Sequence, residues 1–265
     1  MVDKLHAAVA HEHKLRFLTC PTAHPTIKLL MKSIRRKYTK PRNPVQPLDI
    51  SHLRRLNQHL SESDLSSNLV LWRTVWRMNI LYYTLCRFSE INCLTTSELT
   101  LRPAPADSID IYIAKSKTDQ NGNGKTVSLY SIADDPLICP VTLTKGYLAR
   151  LSYPSSTNCY LGSLQPRVHF DCKKGHQIPL PAYVISYSSC LEEGKALLAK
   201  LGIEGRFGEH SGRRGGATAA SAHGGSLQDV QQLSQWKTAA CASKYVDNSS
   251  EQKEKMFRLL YPNSK

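Results

Sequence analysis

The apolar period of this chain changes between residues 98 and 132, and that change narrows the folds open to it. Ile109, Ile111 and Ile113 alternate with polar residues, as do Val127, Leu129 and, less cleanly, Ser131. Alternation of this kind puts one face of a strand against a core. Between the two runs sits Asp119-Gln-Asn-Gly122-Asn-Gly124, whose Asn-Gly pairs accept the positive φ of a tight hairpin turn. With Glu98–Arg102 this predicts an antiparallel sheet of about three strands. The sequence around it reads as helix. Asp49-Ile-Ser51 caps a helix running to about Leu60, and Ser61–Asp64 opens another that runs to Arg87. Helix returns over Pro140–Leu151 and again over Pro181–Leu201, where Gly202 stops it. Residues 152–180 read as irregular, and the chain from Glu209 onward as mostly helical. Helices, a small sheet and helices again predict a mainly α protein with an inserted antiparallel sheet, an α+β class.

The first 46 residues stand apart. Two helical patterns, Lys4–Phe17 and Thr26–Lys37, are separated by Pro21 and Pro25. The second ends in a basic run that includes Lys32, Arg35, Arg36, Lys37, Lys40 and Arg42. Asn43-Pro-Val-Gln-Pro47 follows as a linker, because each proline disfavours helix in the residue before it. So short a segment buries little core by itself. It is expected to be an accessory helical region, with residues 47–265 as the main domain.

Charge narrows the partner. Lysines and arginines number 35 against 21 acidic residues, a formal net charge of +14, so a polyanion is the expected ligand and nucleic acid the default one. The basic run Lys32–Arg42 suits contact with a DNA backbone, or nuclear import. The most apolar stretch, Asn68–Leu85, is interrupted by Arg73 and Arg77 and falls short of the ~20 apolar residues a bilayer requires. Met1 is followed by Val-Asp-Lys-Leu-His, with no apolar signal core. The eight cysteines are scattered without a C-x-x-C pair, which favours reduced thiols. Cys159, His169, Cys172 and His176 lack the tight knuckle of a zinc site, and His11-Glu-His13 reads as a solvated helix face, so no metal site is expected.

The segment richest in chemistry is Glu209-His-Ser-Gly-Arg213-Arg-Gly-Gly-Ala-Thr-Ala-Ala220. His210 and Arg213, three apart, share one face of a helix. A guanidinium fork and an imidazole aimed at one point suit a phosphodiester, since the fork binds two oxygens and the ring moves a proton. The small residues that follow allow a helix to approach a neighbour closely. Further on stand Trp236 and Tyr245. Together with Arg87 and Lys117, this order of residues resembles the catalytic domain of a tyrosine recombinase (phage-integrase family), in the form carried by eukaryotic mobile elements of the Crypton, Ngaro or DIRS type. The resemblance covers roughly residues 47–250, and the gaps of 23 residues from Arg213 to Trp236 and nine from there to Tyr245 agree with it.

What the resemblance implies is specific. Tyr245 would be the nucleophile that forms a 3′-phosphotyrosyl bond with DNA and frees a 5′-hydroxyl. Arg87 and Arg213 would clamp the nonbridging oxygens. His210 would assist proton removal. Lys117 would protonate the leaving oxygen, with Lys115 and Lys125 as alternatives. Trp236 would supply an indole N–H and packing, and Glu90, one turn after Arg87, would orient the basic groups. Arg214 joins the basic run as a DNA contact. No cofactor or metal is implied, because the cationic side chains take the part of a divalent ion. The partners implied are double-stranded DNA and further copies of the chain in a tetramer, with a segment from about residue 251 as the candidate link between copies, and no membrane. In a eukaryotic host such a protein would be nuclear, and otherwise cytoplasmic and DNA-associated.

Two departures stand out. Residues 1–46 match only the last part of the family's DNA-clamping core-binding domain, so a truncated or domesticated protein is expected. Gln235 replaces the glycine-containing text that usually precedes Trp236. Taken singly, Tyr245 or Trp236 would be ordinary packing, and Arg87–Glu90 an ordinary surface pair. A type IB topoisomerase and a non-cleaving DNA-binding module are the competing functions.

Overall fold

The computed structural model describes residues 2–38, 45–62, 68–105, 107–117, 119, 122–151, 162–172, 176–234, 236, 238 and 242–243. The chain divides into two compact units, Met1–Pro44 and Val45–Lys265. The first contains α1 (Val2–Leu15) and α2 (Pro25–Tyr38), joined through a short 3-10 turn at Pro21–Ala23. The second begins two residues before Pro47. Gln46 N–H donates to the Arg206 carbonyl at 2.8 Å, which ties Val45 and Gln46 to this unit.

In the larger unit, α3 (Ile50–Glu62) and α4 (Leu69–Thr84) lead to a short helix α5 (Phe88–Asn92). Asp49 caps α3, accepting from His52 N–H at 3.0 Å. The single helix expected from Ser61–Asp64 to Arg87 is not formed. Asn68 starts α4 by accepting from Leu71 N–H at 3.0 Å, and Leu85, at φ 52° and ψ 22°, ends it in the left-handed region. The apolar period runs on through Leu85, so periodicity alone does not show that break.

The expected sheet forms from β1 (Leu99–Arg102), β2 (Ser108–Ile113) and β3 (Lys125–Tyr130), all antiparallel in that order. Ile109 pairs with Leu129 and Ile111 with Val127, which sets one apolar face on the core. Gly122 and Gly124 take φ 69° and 67° in the connection, as the Asn-Gly pairs require. After α6 (Pro140–Leu151) the structure corrects a second expectation. The stretch read as irregular contains a two-stranded hairpin, β4 (Pro166–Asp171) and β5 (His176–Val184). Pro179 reads as part of an irregular stretch and Pro181 as the start of a helix, but each strand of a lone pair keeps an open edge where a missing N–H does no harm. Helix α7 therefore begins later than Pro181. It spans Tyr187–Lys200 and is capped by Ser186. Helices α8 (His210–Ala222) and α9 (Leu227–Ser234) follow. Among the described residues no helix is long and apolar enough to cross a membrane.

The core is built around α4, which is buried on nearly all sides. Trp76 stacks on Tyr147 of α6 at 5.2 Å and donates its indole N–H to Thr144 at 3.0 Å. Helix α8 packs on α4 at backbone range. A Cβ at Gly216 would stand 2.0 Å from the Tyr82 carbonyl oxygen, and one at Gly212 2.9 Å from Leu81 Cβ. A Cβ at Gly215 would collide with the Leu48 carbonyl. The obstacles at Gly215 and Gly216 are backbone atoms that cannot swing aside. Gly216→Ala is therefore expected to lower stability by about 1–3 kcal/mol, despite the helix propensity gained, and the loss would be read from thermal or urea unfolding.

Candidate anion-binding site

The close approach of α8 to α4 decides where two arginines and a histidine meet. Just beyond α4, Leu85 reverses the backbone and Cys86 N–H donates to Thr84 Oγ1 at 3.2 Å. Arg87 comes next, as the cap of α5. Glu90 grips it twice, accepting from the Arg87 backbone N–H and from its Nη1, each at 2.8 Å. Burial alone would raise the Glu90 carboxyl. The hydrogen bonds from Arg87 and the charges of Lys125 and Arg87 outweigh that and hold it below the ordinary carboxylate range. The Arg87 guanidinium is thus fixed at one edge, and its side chain stays partly open to solvent.

His210 and Arg213 enter from the first turn of α8. Arg213 is buried, and its guanidinium lies 4.7 Å from the centre of the Trp236 ring. Trp236 is buried in a small apolar cluster with Leu85, Ala217, Val230 and Ala242. Its backbone is held by Gln231, which accepts from Trp236 N–H and returns its side-chain amide to the Trp236 carbonyl, both at 3.0 Å. His210 reaches the surface, yet protein atoms crowd its ring. That crowding, with the charges of Arg213 and Arg87, pushes the imidazole pKa down. A lowered pKa favours the neutral ring, the form able to accept a proton.

The residues singled out from sequence divide clearly. Arg87, Glu90, His210, Arg213 and Trp236 come together. Lys117 lies exposed on the connection between β2 and β3. Lys125, at the start of β3, is the hairpin lysine whose charge acts on Glu90 and on the buried Cys86 thiol, where Arg213 also acts. Arg214 is half-buried on α8. Lys32, Arg35, Arg36 and Lys37 are exposed on α2 of the first unit, and Arg35 is paired with Asp3 at 2.7 Å. Tyr245, Lys40, Arg42, Gln235, Cys159 and the segment 251–265 lie outside the described residues. Among those that are described, no group of three or more His, Cys, Asp and Glu side chains could hold a metal ion.

Sequence reasoning missed a second layer of charge beneath the site. Arg73 and Arg77, noticed only as interruptions of an apolar run, are almost wholly buried in α4. Arg73 pairs with Glu193 of α7 at 2.6 Å, and Thr74 donates to the same carboxylate at 3.2 Å. Arg77 faces Glu209, the residue before His210, at 3.5 Å. The available signal was the four-residue spacing of two arginines within an otherwise apolar helix.

No family model and no curated protein matches the sequence. Solved structures do match, and they define the fold as that of a tyrosine-recombinase catalytic domain. XerA recombinase is similar at TM-score 0.54 and 20% identity, over 96% of this chain and 73% of that one. XerH site-specific recombinase, bound to palindromic difH substrate in a post-cleavage complex, is similar at TM-score 0.56 and 16% identity over 83% of this chain. The Tn1549 transposon integrase in complex with transposon right end DNA gives 0.53 and 13%, over 86% of this chain and 70% of that one. The chain spans about half, 55%, of the XerH length.

The two guanidinium charges near His210 set a measurable sign. Its imidazole should titrate below the ordinary value of about 6.5, and Arg87→Met should move it upward. Histidine ring signals followed by NMR against pH would show both effects.

Proposed function

We propose that this chain breaks and rejoins DNA by phosphoryl transfer through a 3′-phosphotyrosyl intermediate, as a recombinase or integrase derived from a mobile element of the Crypton, Ngaro or DIRS type. The observation that carries this reading is the convergence of Arg87, His210 and Arg213 from two separate segments. Two guanidinium groups whose charges both act on one imidazole match the needs of a phosphorus centre. Negative charge grows on its nonbridging oxygens, while a proton must leave the attacking group.

In this mechanism the Tyr245 hydroxyl gives up its proton, with His210 assisting, and its oxygen attacks phosphorus. The bond from phosphorus to the 5′-oxygen breaks as the new ester forms, and a hairpin lysine returns a proton to the departing oxygen. Lys125 fits that last role better than Lys117 on placement, because its charge already acts on Glu90. Arg87 and Arg213 hold the charge that a divalent ion holds in metal-dependent nucleases. A later attack by another 5′-hydroxyl reverses the step and joins new strands without an external energy source. The net charge of +14 supports double-stranded DNA as substrate, and so do the DNA-bound XerH and Tn1549 structures. Lys32, Arg35, Arg36, Lys37, Lys40, Arg42 and Arg214 would add backbone contacts. Assembly of four copies on DNA, and residence in the nucleus of a eukaryotic host, complete the proposal.

The test uses a pool of nicked random-sequence duplexes, in which loss of the small 5′-terminal fragment traps the covalent adduct. Wild-type protein should give a DNA-linked species on a denaturing gel, and Tyr245→Phe should give none. Arg213→Met should slow its formation by about 10²–10³-fold. Recombined junctions distinguish this reading from a topoisomerase, which would only relax supercoiled circles. Salt-sensitive DNA binding without any adduct from the wild type would overturn the reading in favour of a non-cleaving binding module.

A further inference from the structure

Glu209 stands where a helix normally places a capping side chain, yet its carboxylate does not cap α8. It turns inward and is 7% exposed. The turn is completed by other groups. Ser211 Oγ accepts from Gly208 N–H at 3.0 Å, Ser211 N–H donates to the Gly208 carbonyl at 2.8 Å, and the Ser211 carbonyl accepts from Leu48 N–H at 2.9 Å. The carboxylate is therefore spare for the local fold. Its partner is Arg77, whose side chain is fully buried in α4, with Nε 3.5 Å from Glu209 Oε2.

Arg77 is itself rigidly held. Nη2 donates to the Cys190 carbonyl of α7 at 2.8 Å and Nη1 to Gln165 Oε1 at 3.3 Å. Gly194 of α7 lies against the same part of α4, where a Cβ would stand 2.8 Å from Met78 Cε and at ordinary contact distance from Arg77 Nη2. One guanidinium thus joins α4, α7, the residue before β4 and the entrance of α8. Such a pair gives little stability for its burial, because desolvating two charges roughly cancels their attraction. Burial pushes the Glu209 carboxyl above the ordinary range. Arg77 draws it back, and Glu193, from α7, pushes it further up.

We infer that the buried Arg77–Glu209 pair is a positioning device, which fixes the first turn of α8 so that His210 and Arg213 meet the same anion as Arg87. Neither residue touches that anion. Glu209 adjoins His210 in the chain and lies one helical turn before Arg213, so a shift of its carboxylate moves both. This inference rests on the proposed reading of the site as a phosphate site.

The probe is inorganic phosphate, titrated into the full chain while the His210 ring is followed by NMR at a temperature where each variant is folded. In the wild type, phosphate should shift the His210 signals and raise their titration midpoint. Glu209→Ala should weaken phosphate binding by about tenfold, the scale on which outer-sphere partners act, with Glu209→Asp recovering part of it. Glu209→Gln, which preserves shape, serves if the alanine variant does not fold, and should also bind more weakly. A purely structural role would lower the unfolding temperature and leave the phosphate affinity of the folded protein unchanged. That result would overturn the inference while leaving the phosphate site intact. Absence of any phosphate effect on His210 in the wild type would overturn both.

Discussion

Contact between α8 and α4 at backbone distance is the constraint on which the rest of the molecule depends. Gly212 and Gly216, one turn apart, form a strip without side chains that rests on Leu81 and Tyr82, while Gly215 rests on Leu48. Remove that proximity and α8 would stand off by the width of a methyl group or more. The first turn of α8 would then no longer share a field with Arg87. The interface is thus a spacer of fixed thickness. It converts the accident of small residues into a defined separation between cationic groups brought from distant parts of the chain.

Behind that spacer lies a division between the charges that face outward and those that do not. Arg87 and His210 reach solvent and can meet a ligand. Arg73 and Arg77 are sealed within α4 and answered by Glu193 and Glu209. The sealed set ties α4 to α7 and to the entrance of α8. Lys125 and Glu90 occupy an intermediate position, where one carboxylate steadies a guanidinium and also feels the hairpin cation. Positive groups held this close repel one another, and the carboxylates of Glu90, Glu193 and Glu209 offset part of that repulsion.

Much of this was legible in the residues. The three-stranded sheet and α6 follow directly from alternation and from Pro140, because their periods are clean and their turns carry Asn-Gly or proline. The shared face of His210 and Arg213 follows from their spacing, and the close approach of α8 from its run of glycine and alanine. What stayed hidden depended on tertiary context. The break at Leu85 carries no glycine to announce it, and its leucine side chain continues the apolar period. The β4–β5 hairpin contains prolines that only an open-edged pair accommodates. Lys117 and Lys125 flank the same turn, and text cannot tell which of them the fold brings near Glu90. Buried arginines look like breaks in a hydrophobic run until their acidic partners are seen more than one hundred residues away.

The left-handed backbone at Leu85 gives the architecture a built-in seam. Leucine at φ 52° holds a conformation its side chain does not favour, and it is retained because that side chain is itself locked among Ala217, Val230 and Trp236. Upstream of it the polypeptide serves as ballast, and downstream it serves as instrument. The two sides are not independent, because Cys86 and Ile91 beyond the seam are packed into the same core as Trp76 and Leu81 of α4. A replacement for Leu85 itself would loosen both that turn and the packing around Trp236, against which Arg213 rests, in a single stroke.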